Sequence, residues 1–270
     1  IGSQPLVNPI RRPRHSTSPR VRFDFDIWRN EVFTTALKHP VILTNIDIKQ
    51  HLDKEATKKE EEKYKGWKED AATRDNIAKE MGWPIFKSPL VLEGGSIEIG
   101  NRIGIVTESC VINKNRTDWS KAKVEKELKD MLGLDKIIWL KSGLMPDKVT
   151  DGHVDGICKI ISKDTVLLHS VDLKSDLNYK ICNDAKKVLQ DAGMKVIDLP
   201  LMDDIVHMNF YIGSGGDTIY VPVCGDPEQD DPALKILENL YKNVIPINSV
   251  AIAKAGGGIH CYTQQIPVTK

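Results

Sequence analysis

The stretch VDGICKIISKDTVLLHSVDLKSDLNYKICNDAKKVLQDAGMKVIDL, residues 154–199, contains one complete structural unit. Two apolar runs on either side of the turn residues Lys163-Asp164 are typical of paired strands. Apolar side chains at helical spacing follow, and Gly193 is a helix stop signal before a final apolar run. The predicted elements are strands 154–161 and 165–170, helix 178–192 and strand 195–199. The order of this unit is therefore ββαβ.

The same order occurs once before this unit and once after it. The preceding unit is predicted as strands 90–99 and 103–113, helix 118–132 and strand 136–140. The following unit is predicted as strands 207–212 and 218–223, helix 231–241 and strand 244–252. Asp118 is the expected cap of the first helix, and Asp231-Pro232 opens the last one because proline suits the first helical position. Three rounds favour an α/β internal repeat, stacked around an axis or along a line, over chance similarity within an α+β domain.

Charge and cysteine content narrow the classes of protein to which the chain can belong. Its 38 basic and 38 acidic residues cancel, which disfavours a nucleic-acid or anionic-membrane partner, and the basic segment 11–20 is short. No apolar run is long enough to span a bilayer and no secretion signal is visible, so we expect a cytoplasmic protein. The five cysteines include no C-x-x-C pair. A disulfide framework or zinc ribbon is therefore disfavoured, and a reducing compartment is favoured.

The first 83 residues are less regular than the repeats. Residues 21–27 alternate like a strand, and the highly charged segment 51–81 is predicted to form a solvated helix. Gly82-Trp83-Pro84 marks the boundary with the clear ββαβ repeats of residues 84–270. We expect residues 1–270 to form a single domain whose N-terminal part, 1–83, is atypical or divergent.

The segment GGGIHC, residues 256–261, is the first candidate for chemistry. We do not expect three consecutive glycines to serve packing, because glycine allows positive φ and a close approach of a ligand to the main chain. Gly257 and Gly258 are therefore candidate substrate contacts, and Cys261 is well placed to meet a substrate. The alternative is that Cys261 is a buried, inert cysteine, which is the commoner fate of this residue.

The segment TDGHVD, residues 150–155, is the second candidate. It lies where a strand is predicted to begin. If Val154 points into the core, His153 and Asp155 share the opposite face, because strand side chains have a period of two. A histidine and a carboxylate would then face one pocket. The alternative is a polar strand face in water.

The segment LEGGS, residues 92–96, is the third candidate, because a glutamate is rarely buried in an apolar strand without a partner. Glu93 could orient a histidine, or it could be an exposed side chain at a bulge. The three segments lie at equivalent places, near the first strand of successive units or, for GGGIHC, of the unit that would follow the third. In a ring of repeats such positions converge on the axis, which would bring Cys261, His153, Glu93 and Asp155 around one central pocket.

The strings LEGGSI, TDGHVD and GGGIHCYTQQIP, together with YKGW around Trp67 and MNF at residues 208–210, resemble the agmatine deiminase and bacterial-type peptidylarginine deiminase family. That family belongs to the guanidino-group-modifying, or pentein, superfamily. The resemblance covers Tyr64 to the C-terminus in motif order and spacing. It implies a five-bladed α/β propeller of ββαβ units around a central active site, with the first blade incomplete in this chain.

The resemblance also implies roles for individual residues. Cys261 is the expected nucleophile, His153 the general acid and base, Glu93 the carboxylate that orients His153, and Asp155 a clamp for a guanidinium group. A planar guanidinium cation pairs well with carboxylates, and its unreactive carbon needs a nucleophile as strong as a thiolate. No metal or organic cofactor is needed for this chemistry. The expected partner is a small-molecule guanidino substrate, and a homo-oligomer remains an open alternative to a monomer.

Three functions follow from the resemblance. The leading hypothesis is hydrolysis of agmatine to N-carbamoylputrescine and ammonia, and the second is deimination of free or peptidyl arginine. The third is a catalytically inactive binding protein of the same fold. This last alternative arises because a W-x-R-D-x-G-type segment of the family's first blade is not found, and Trp28-Arg29-Asn30 lacks the aspartate.

Overall fold

The computed structural model describes residues 67–114, 116–147, 150–203, 205–213, 215–254 and 257–263. The predicted strand 21–27, most of the predicted helix 51–81 and the segment Trp28-Arg29-Asn30 lie outside these residues. None of the helices in the described part of the chain has the length and apolar character that a membrane crossing requires.

Three sheets of three strands follow one another along the chain. In each sheet the first two strands are antiparallel and the third strand runs parallel to the second. The strands of the first sheet are β1 Ile97–Gly100, β2 Ile103–Thr107 and β3 Lys136–Leu140. The other two sheets contain β4 Cys158–Ile160, β5 Thr165–Ser170 and β6 Lys195–Pro200, then β7 Tyr211–Ile212, β8 Thr218–Val223 and β9 Asn243–Asn248. The predicted ββαβ repeat is confirmed.

Each sheet is completed by a helix between its second and third strands. The six helices of the described residues are α1 Trp67–Glu80, α2 Glu108–Val111, α3 Lys121–Leu132, α4 Leu177–Asp191, α5 Pro227–Glu238 and α6 Val250–Lys254. Ser120 caps α3 by accepting a hydrogen bond from the backbone N–H of Lys123, so the predicted cap at Asp118 was wrong by two residues. Gly133 ends the same helix in the left-handed conformation, with φ of 66°.

The start of α5 also differs from the prediction. Asp226 accepts a hydrogen bond from the backbone N–H of Glu228, and Pro227 occupies the first helical turn. The helix therefore begins before Asp231-Pro232, and Pro232 lies inside it. The sequence contains two Asp-Pro pairs at this helix, and local propensity does not say which of them caps it.

Several predicted strands were too long. Gly94–Ser96 and Val154–Gly156 form 3₁₀ turns ahead of β1 and β4, and α2 and α6 replace the predicted ends of two other strands. The predicted strand 207–212 is reduced to Tyr211–Ile212. A strand extends only as far as a neighbour supplies ladder hydrogen bonds, and an apolar run does not contain this information.

The hydrophobic cores lie between consecutive sheets. Along β2, Ile105 faces the core shared by the first and second units, whereas Val106 faces a separate core on the other side of the sheet. The helix α4 contacts β3 of the preceding unit as well as β5 and β6 of its own, and α5 contacts β6 and β9 in the same way. The same helix-to-strand contact therefore recurs between successive units. Strands that are buried on both faces have continuous apolar runs in the sequence.

We expect Leu189→Ala to lower the free energy of unfolding by about 2–5 kcal/mol, because Leu189 is fully buried in the core between the first two units. Urea unfolding followed by circular dichroism measures this loss. The matched control is Val188→Ala on the same helix, since Val188 is 36% exposed and its truncation should change stability by less than about 0.5 kcal/mol. Equal effects of the two substitutions would contradict the described packing of α4.

Candidate active site

Glu93 and His153 form a hydrogen-bonded pair at one end of the first two sheets. The atoms His153 Nε2 and Glu93 Oε1 are 2.8 Å apart, and both side chains are largely buried. Glu93 lies at the start of the 3₁₀ turn before β1, where its backbone carbonyl accepts hydrogen bonds from Ser96. The structure thus brings together the carboxylate and the histidine that the sequence analysis selected from segments 60 residues apart.

Gly95 allows His153 and Asp155 to pack directly against the 3₁₀ turn Gly94–Ser96. A Cβ atom at Gly95 would lie 2.4 Å from His153 Nδ1 and 2.9 Å from Asp155 Oδ2. Any side chain at this position would therefore displace the histidine or the aspartate. The second glycine of LEGGS is thus required by the close approach of the TDGHVD segment.

Arg116 is a buried cation that the sequence analysis did not select. Its guanidinium group donates hydrogen bonds to Glu93 Oε1, to Asp151 Oδ2 at 2.8 Å and to the carbonyl of Thr150 at 3.1 Å. The Arg116 side chain is fully buried. Its surrounding sequence KNRTD is polar throughout and predicts a surface position, so no local signal points to this contact.

The charge state of Glu93 follows from these neighbours. Burial raises the pKa of Glu93, but the hydrogen bond with His153 and the charge of Arg116 outweigh burial and leave this pKa below its ordinary value of 4.5. An ionised Glu93 accepts the Nε2 proton of His153, which leaves Nδ1 facing Asp155. Because the pKa is lowered by folding, the ionised pair stabilises the protein above about pH 4.5, and this stabilisation is lost as the pH falls through the lowered pKa.

The loop before His153 is held by Asp147. The carboxylate of Asp147 accepts hydrogen bonds from the backbone N–H groups of Thr150 and Gly152, both at 2.9 Å. The Thr150 hydroxyl in turn accepts from the backbone N–H of His153 at 3.2 Å. These hydrogen bonds fix the backbone at His153 and therefore the direction of its side chain. Gly152, just before it, has a positive φ of 91°, a conformation that favours glycine.

Asp155 presents a buried carboxylate to the space between His153 and Cys261. His153 Nδ1 lies 3.9 Å from Oδ1, while Cys261 Sγ and His260 Nδ1 lie 4.0 Å and 3.8 Å from Oδ2. The Cys261 thiol donates a weak hydrogen bond to Oδ2, whereas the two nitrogens are beyond hydrogen-bonding distance. The carboxylate can therefore still accept further hydrogen bonds from another group. His153 and Asp155 face the same space, as predicted, but they do so on the 3₁₀ turn Val154–Gly156 rather than on a strand.

Cys261 lies on the 3₁₀ turn His260–Tyr262 and is exposed. The side-chain amide of Asn209 donates a hydrogen bond to Cys261 Sγ at 3.2 Å and accepts one from the backbone N–H of Cys261, also at 3.2 Å. A Cβ atom at Gly258 would lie only 2.3 Å from Asn209 Oδ1. The expectation that the glycines do not serve packing was therefore wrong for Gly258, because the Asn209 side chain lies directly against it.

The remaining cysteines are much less suited to act as nucleophiles. Burial raises the pKa of the Cys110 thiol to about 12 and that of Cys182 to about 11, and it also raises the pKa values of Cys158 and Cys224. These four thiols stay protonated near neutral pH, and a thiol is a far weaker nucleophile than a thiolate. Among the described residues, Cys261 is the only exposed cysteine.

One group of side chains has the composition of a metal site. Donor atoms of Glu93, Cys110 and His153 lie within 4.8 Å of one another. The guanidinium of Arg116 already binds Glu93 Oε1 there, and the Cys110 thiol would have to lose a tightly held proton. These residues therefore fit a proton-transfer site better than a cation site, because an adjacent fixed positive charge opposes cation binding.

The repeat explains why Asn209 joins the site. Glu93 precedes β1 and Asp155 precedes β4, and Asn209 precedes β7 at the equivalent place in the third unit. The sequence analysis applied this equivalence to LEGGS, TDGHVD and GGGIHC but used MNF only as part of the family resemblance. Extending the same argument to the third unit would have selected Asn209.

Comparison with known proteins gives one family. A sequence model of the family described as Porphyromonas-type peptidyl-arginine deiminase matches residues 15–267. Agmatine deiminase of Medicago truncatula is 36% identical in a match 242 positions long that covers 76% of this chain and 64% of that protein. Agmatine deiminase of Pseudomonas aeruginosa is 35% identical in a match 217 positions long that covers 67% of this chain and 58% of that protein. The chain thus spans less than two thirds of the length of these relatives.

A solved structure shares the fold. Agmatine deiminase of Enterococcus faecalis superimposes with a TM-score of 0.68 at 25% sequence identity, and the match covers 74% of this chain and 64% of that chain. The α/β fold with its ββαβ units is therefore common to both proteins.

We expect Arg116→Met to lower the free energy of unfolding by about 3–5 kcal/mol, because it leaves the buried Glu93 carboxylate without its charged partner. Chemical unfolding at neutral pH measures the loss. Arg102→Met is the matched control: its bidentate partner Asp135 is 66% exposed, so that change should cost no more than about 1 kcal/mol. A loss at Arg116 as small as that at Arg102 would contradict a structural role of the buried pair.

Proposed function

The chain belongs to the Porphyromonas-type peptidyl-arginine deiminase family, and from this premise we propose that it hydrolyses the guanidinium group of agmatine. The products are N-carbamoylputrescine and ammonia. The observation that carries the proposal is the buried carboxylate of Asp155, which lies between the His153–Glu93 pair and the exposed thiol of Cys261. The relatives called agmatine deiminases support the choice of substrate.

Substrate binding is assigned to Asp155. A guanidinium cation can donate two parallel N–H bonds to a carboxylate, and such charge-assisted pairs are roughly twice as strong as neutral hydrogen bonds. The carboxylate is 7% exposed, so water competes weakly with the substrate. Because Cys261 Sγ is 4.0 Å from Oδ2, a guanidinium bound there would have its central carbon next to the sulfur. Gly257 and Gly258 remain predicted substrate contacts of the same loop.

Cys261 is assigned as the nucleophile. Its thiolate forms a C–S bond with the guanidinium carbon, and the C–N bond to a terminal nitrogen breaks. The departing nitrogen takes a proton from His153 and leaves as ammonia, which gives an S-amidino intermediate. Water then loses a proton to His153 and adds to the same carbon. Cleavage of the C–S bond, with loss of the remaining hydroxyl proton to ammonia or solvent, releases the product with a neutral ureido group and restores the thiolate.

His153 is assigned as the proton carrier and Glu93 as its positioning residue. The ionised Glu93 carboxylate accepts the Nε2 proton, so Nδ1 is the nitrogen that exchanges protons with ammonia and water. The carboxylate also stabilises the imidazolium that forms when Nδ1 is protonated. The geometry is that of a histidine oriented by a carboxylate and directed toward the substrate site.

The three units are assigned as consecutive blades of a pentein propeller, within one catalytic domain that includes residues 1–270. The helices α4 and α5 each contact the third strand of the preceding unit, which is the packing expected of repeats related by a rotation. Glu93, Asp155 and Asn209 lie at equivalent positions before successive first strands, so a rotation would direct all three toward the axis.

A second candidate substrate is arginine, free or within a peptide, because the matching family is described by peptidyl-arginine deimination. The purified chain should release ammonia from agmatine, and a higher kcat/KM with arginine or a peptidyl-arginine would assign the substrate to that class instead. Absence of turnover with all three compounds would favour the inactive binding protein.

Cys261→Ser should abolish turnover, because a serine hydroxyl is not ionised near neutral pH and cannot replace a thiolate. Ammonia release under saturating agmatine measures the effect. Cys224→Ser is the control, since Cys224 lies on another loop near Asp230 and its substitution should leave kcat unchanged. Wild-type turnover by the Cys261 variant would show that the nucleophile is another group.

Asp155→Asn should reduce kcat/KM by about a hundredfold or more, because the cation loses its charged partner in a buried site and its alignment with Cys261. An amide of the same shape offers one acceptor oxygen and a competing donor. Steady-state kinetics with agmatine measures kcat/KM of the variant and of the wild type. The control Asp164→Asn alters an exposed turn residue and should have no effect. An unaltered kcat/KM for the Asp155 variant would remove this residue from the site.

A further inference from the structure

The position of Asn209 is fixed by burial and by two backbone hydrogen bonds, independently of its side-chain contacts. Its neighbours Met208 and Phe210 are fully buried, and Asn209 itself is 6% exposed. Its backbone N–H donates to the carbonyl of Val206 at 3.0 Å, and its own carbonyl accepts from the backbone N–H of His260 at 3.0 Å. The backbone therefore holds the amide side chain in place against the Cys261 loop.

The two ends of the Asn209 amide have different partners on the same residue. The oxygen Oδ1 accepts from the backbone N–H of Cys261, which can only donate. The nitrogen Nδ2 must then be the end that faces Cys261 Sγ, so it donates to the sulfur. The absence of a side chain at Gly258 lets the amide approach, since a Cβ there would lie 2.3 Å from Oδ1.

We propose that Asn209 is a positioning residue for the nucleophile, whose amide N–H favours the thiolate form of Cys261 and directs its sulfur toward Asp155. The proposal rests on the proposed function, in which the thiolate attacks a guanidinium carbon. A hydrogen bond to an ionised acceptor is stronger than one to a neutral acceptor, so the bond from Asn209 Nδ2 to Sγ strengthens when the sulfur carries a negative charge.

The charges around the sulfur explain why the donor is an amide. The carboxylate of Asp155 lies 4.0 Å from Sγ and opposes the formation of a second negative charge there. A lysine or arginine in place of Asn209 would offset this repulsion, but its positive charge would also compete with the guanidinium for Asp155. A neutral donor supports the thiolate without weakening the binding of a cationic substrate.

The test uses two substitutions of Asn209. Asn209→Asp keeps an oxygen for the Cys261 N–H but removes the donor to Sγ, whereas Asn209→Leu removes the donor without adding a charge. The probe is iodoacetamide, and the alkylation rate of Cys261 is followed across the neutral and alkaline range by mass spectrometry of the Cys261 peptide. This readout needs no substrate, so it remains valid if the chain proves inactive toward agmatine.

We expect both variants to move the pH midpoint of Cys261 alkylation upward by at least about one unit, as for the loss of a hydrogen bond to a charged acceptor. The alkylation rate near neutral pH then falls about tenfold. An unchanged midpoint in either variant that folds, as judged by circular dichroism, would overturn the proposal, because a purely structural asparagine would not affect the ionisation of the thiol. A shift in the aspartate variant alone would show that added charge, rather than loss of the donor, is responsible.

Asn178 provides the matched control. It is also buried, and its amide makes the same pair of bonds to another residue, donating to the Met145 carbonyl at 2.8 Å and accepting from the Met145 N–H at 2.7 Å. Asn178→Asp should leave the alkylation midpoint of Cys261 unchanged.

If agmatine is turned over, the Asn209 variants should lose kcat near neutral pH and recover it as the pH rises, with little change in KM because Asp155 is intact. A fall in kcat that is the same at every pH would also contradict the proposal.

Discussion

The buried ion pair between Arg116 and Glu93 is the constraint on which the rest of the site depends. The same guanidinium group binds Glu93, Asp151 and the carbonyl of Thr150, so it ties the turn before β1 to the loop before His153. An unpaired charge in a buried position costs several kcal/mol, and these segments therefore stay together in the folded protein. The ionised Glu93 then fixes the orientation of the His153 ring.

The repeat places the other polar groups. Each of the three units contributes one buried or half-buried polar side chain from the segment just before its first strand, namely Glu93, Asp155 and Asn209. The chemistry differs from unit to unit: the first side chain bonds the histidine, the second accepts a weak hydrogen bond from the Cys261 thiol, and the third donates to the sulfur. One structural position, used in three successive units, therefore supplies two carboxylates and one amide to the same site.

The apolar pattern predicted the repeats well because the central strands β2 and β5 are buried on both faces. Ile105 and Val106 belong to different cores, and the same alternation continues through Leu167 and Leu168 of β5. The ends of the strands were predicted poorly. Val154–Gly156 reads as strand but folds as a 3₁₀ turn, because a strand needs a hydrogen-bonding neighbour and local sequence does not supply one.

The sequence by itself determined the order of the ββαβ units and selected four candidate side chains, Glu93, His153, Asp155 and Cys261, because periodicity and short distinctive motifs are local properties of the chain. Only the tertiary structure decided that Arg116 and Asn209 join them. Arg116 is 23 residues from Glu93, and Asn209 is 52 residues from Cys261. Contacts over such separations depend on how whole units pack, whereas a local pattern reports only which face of an element is apolar.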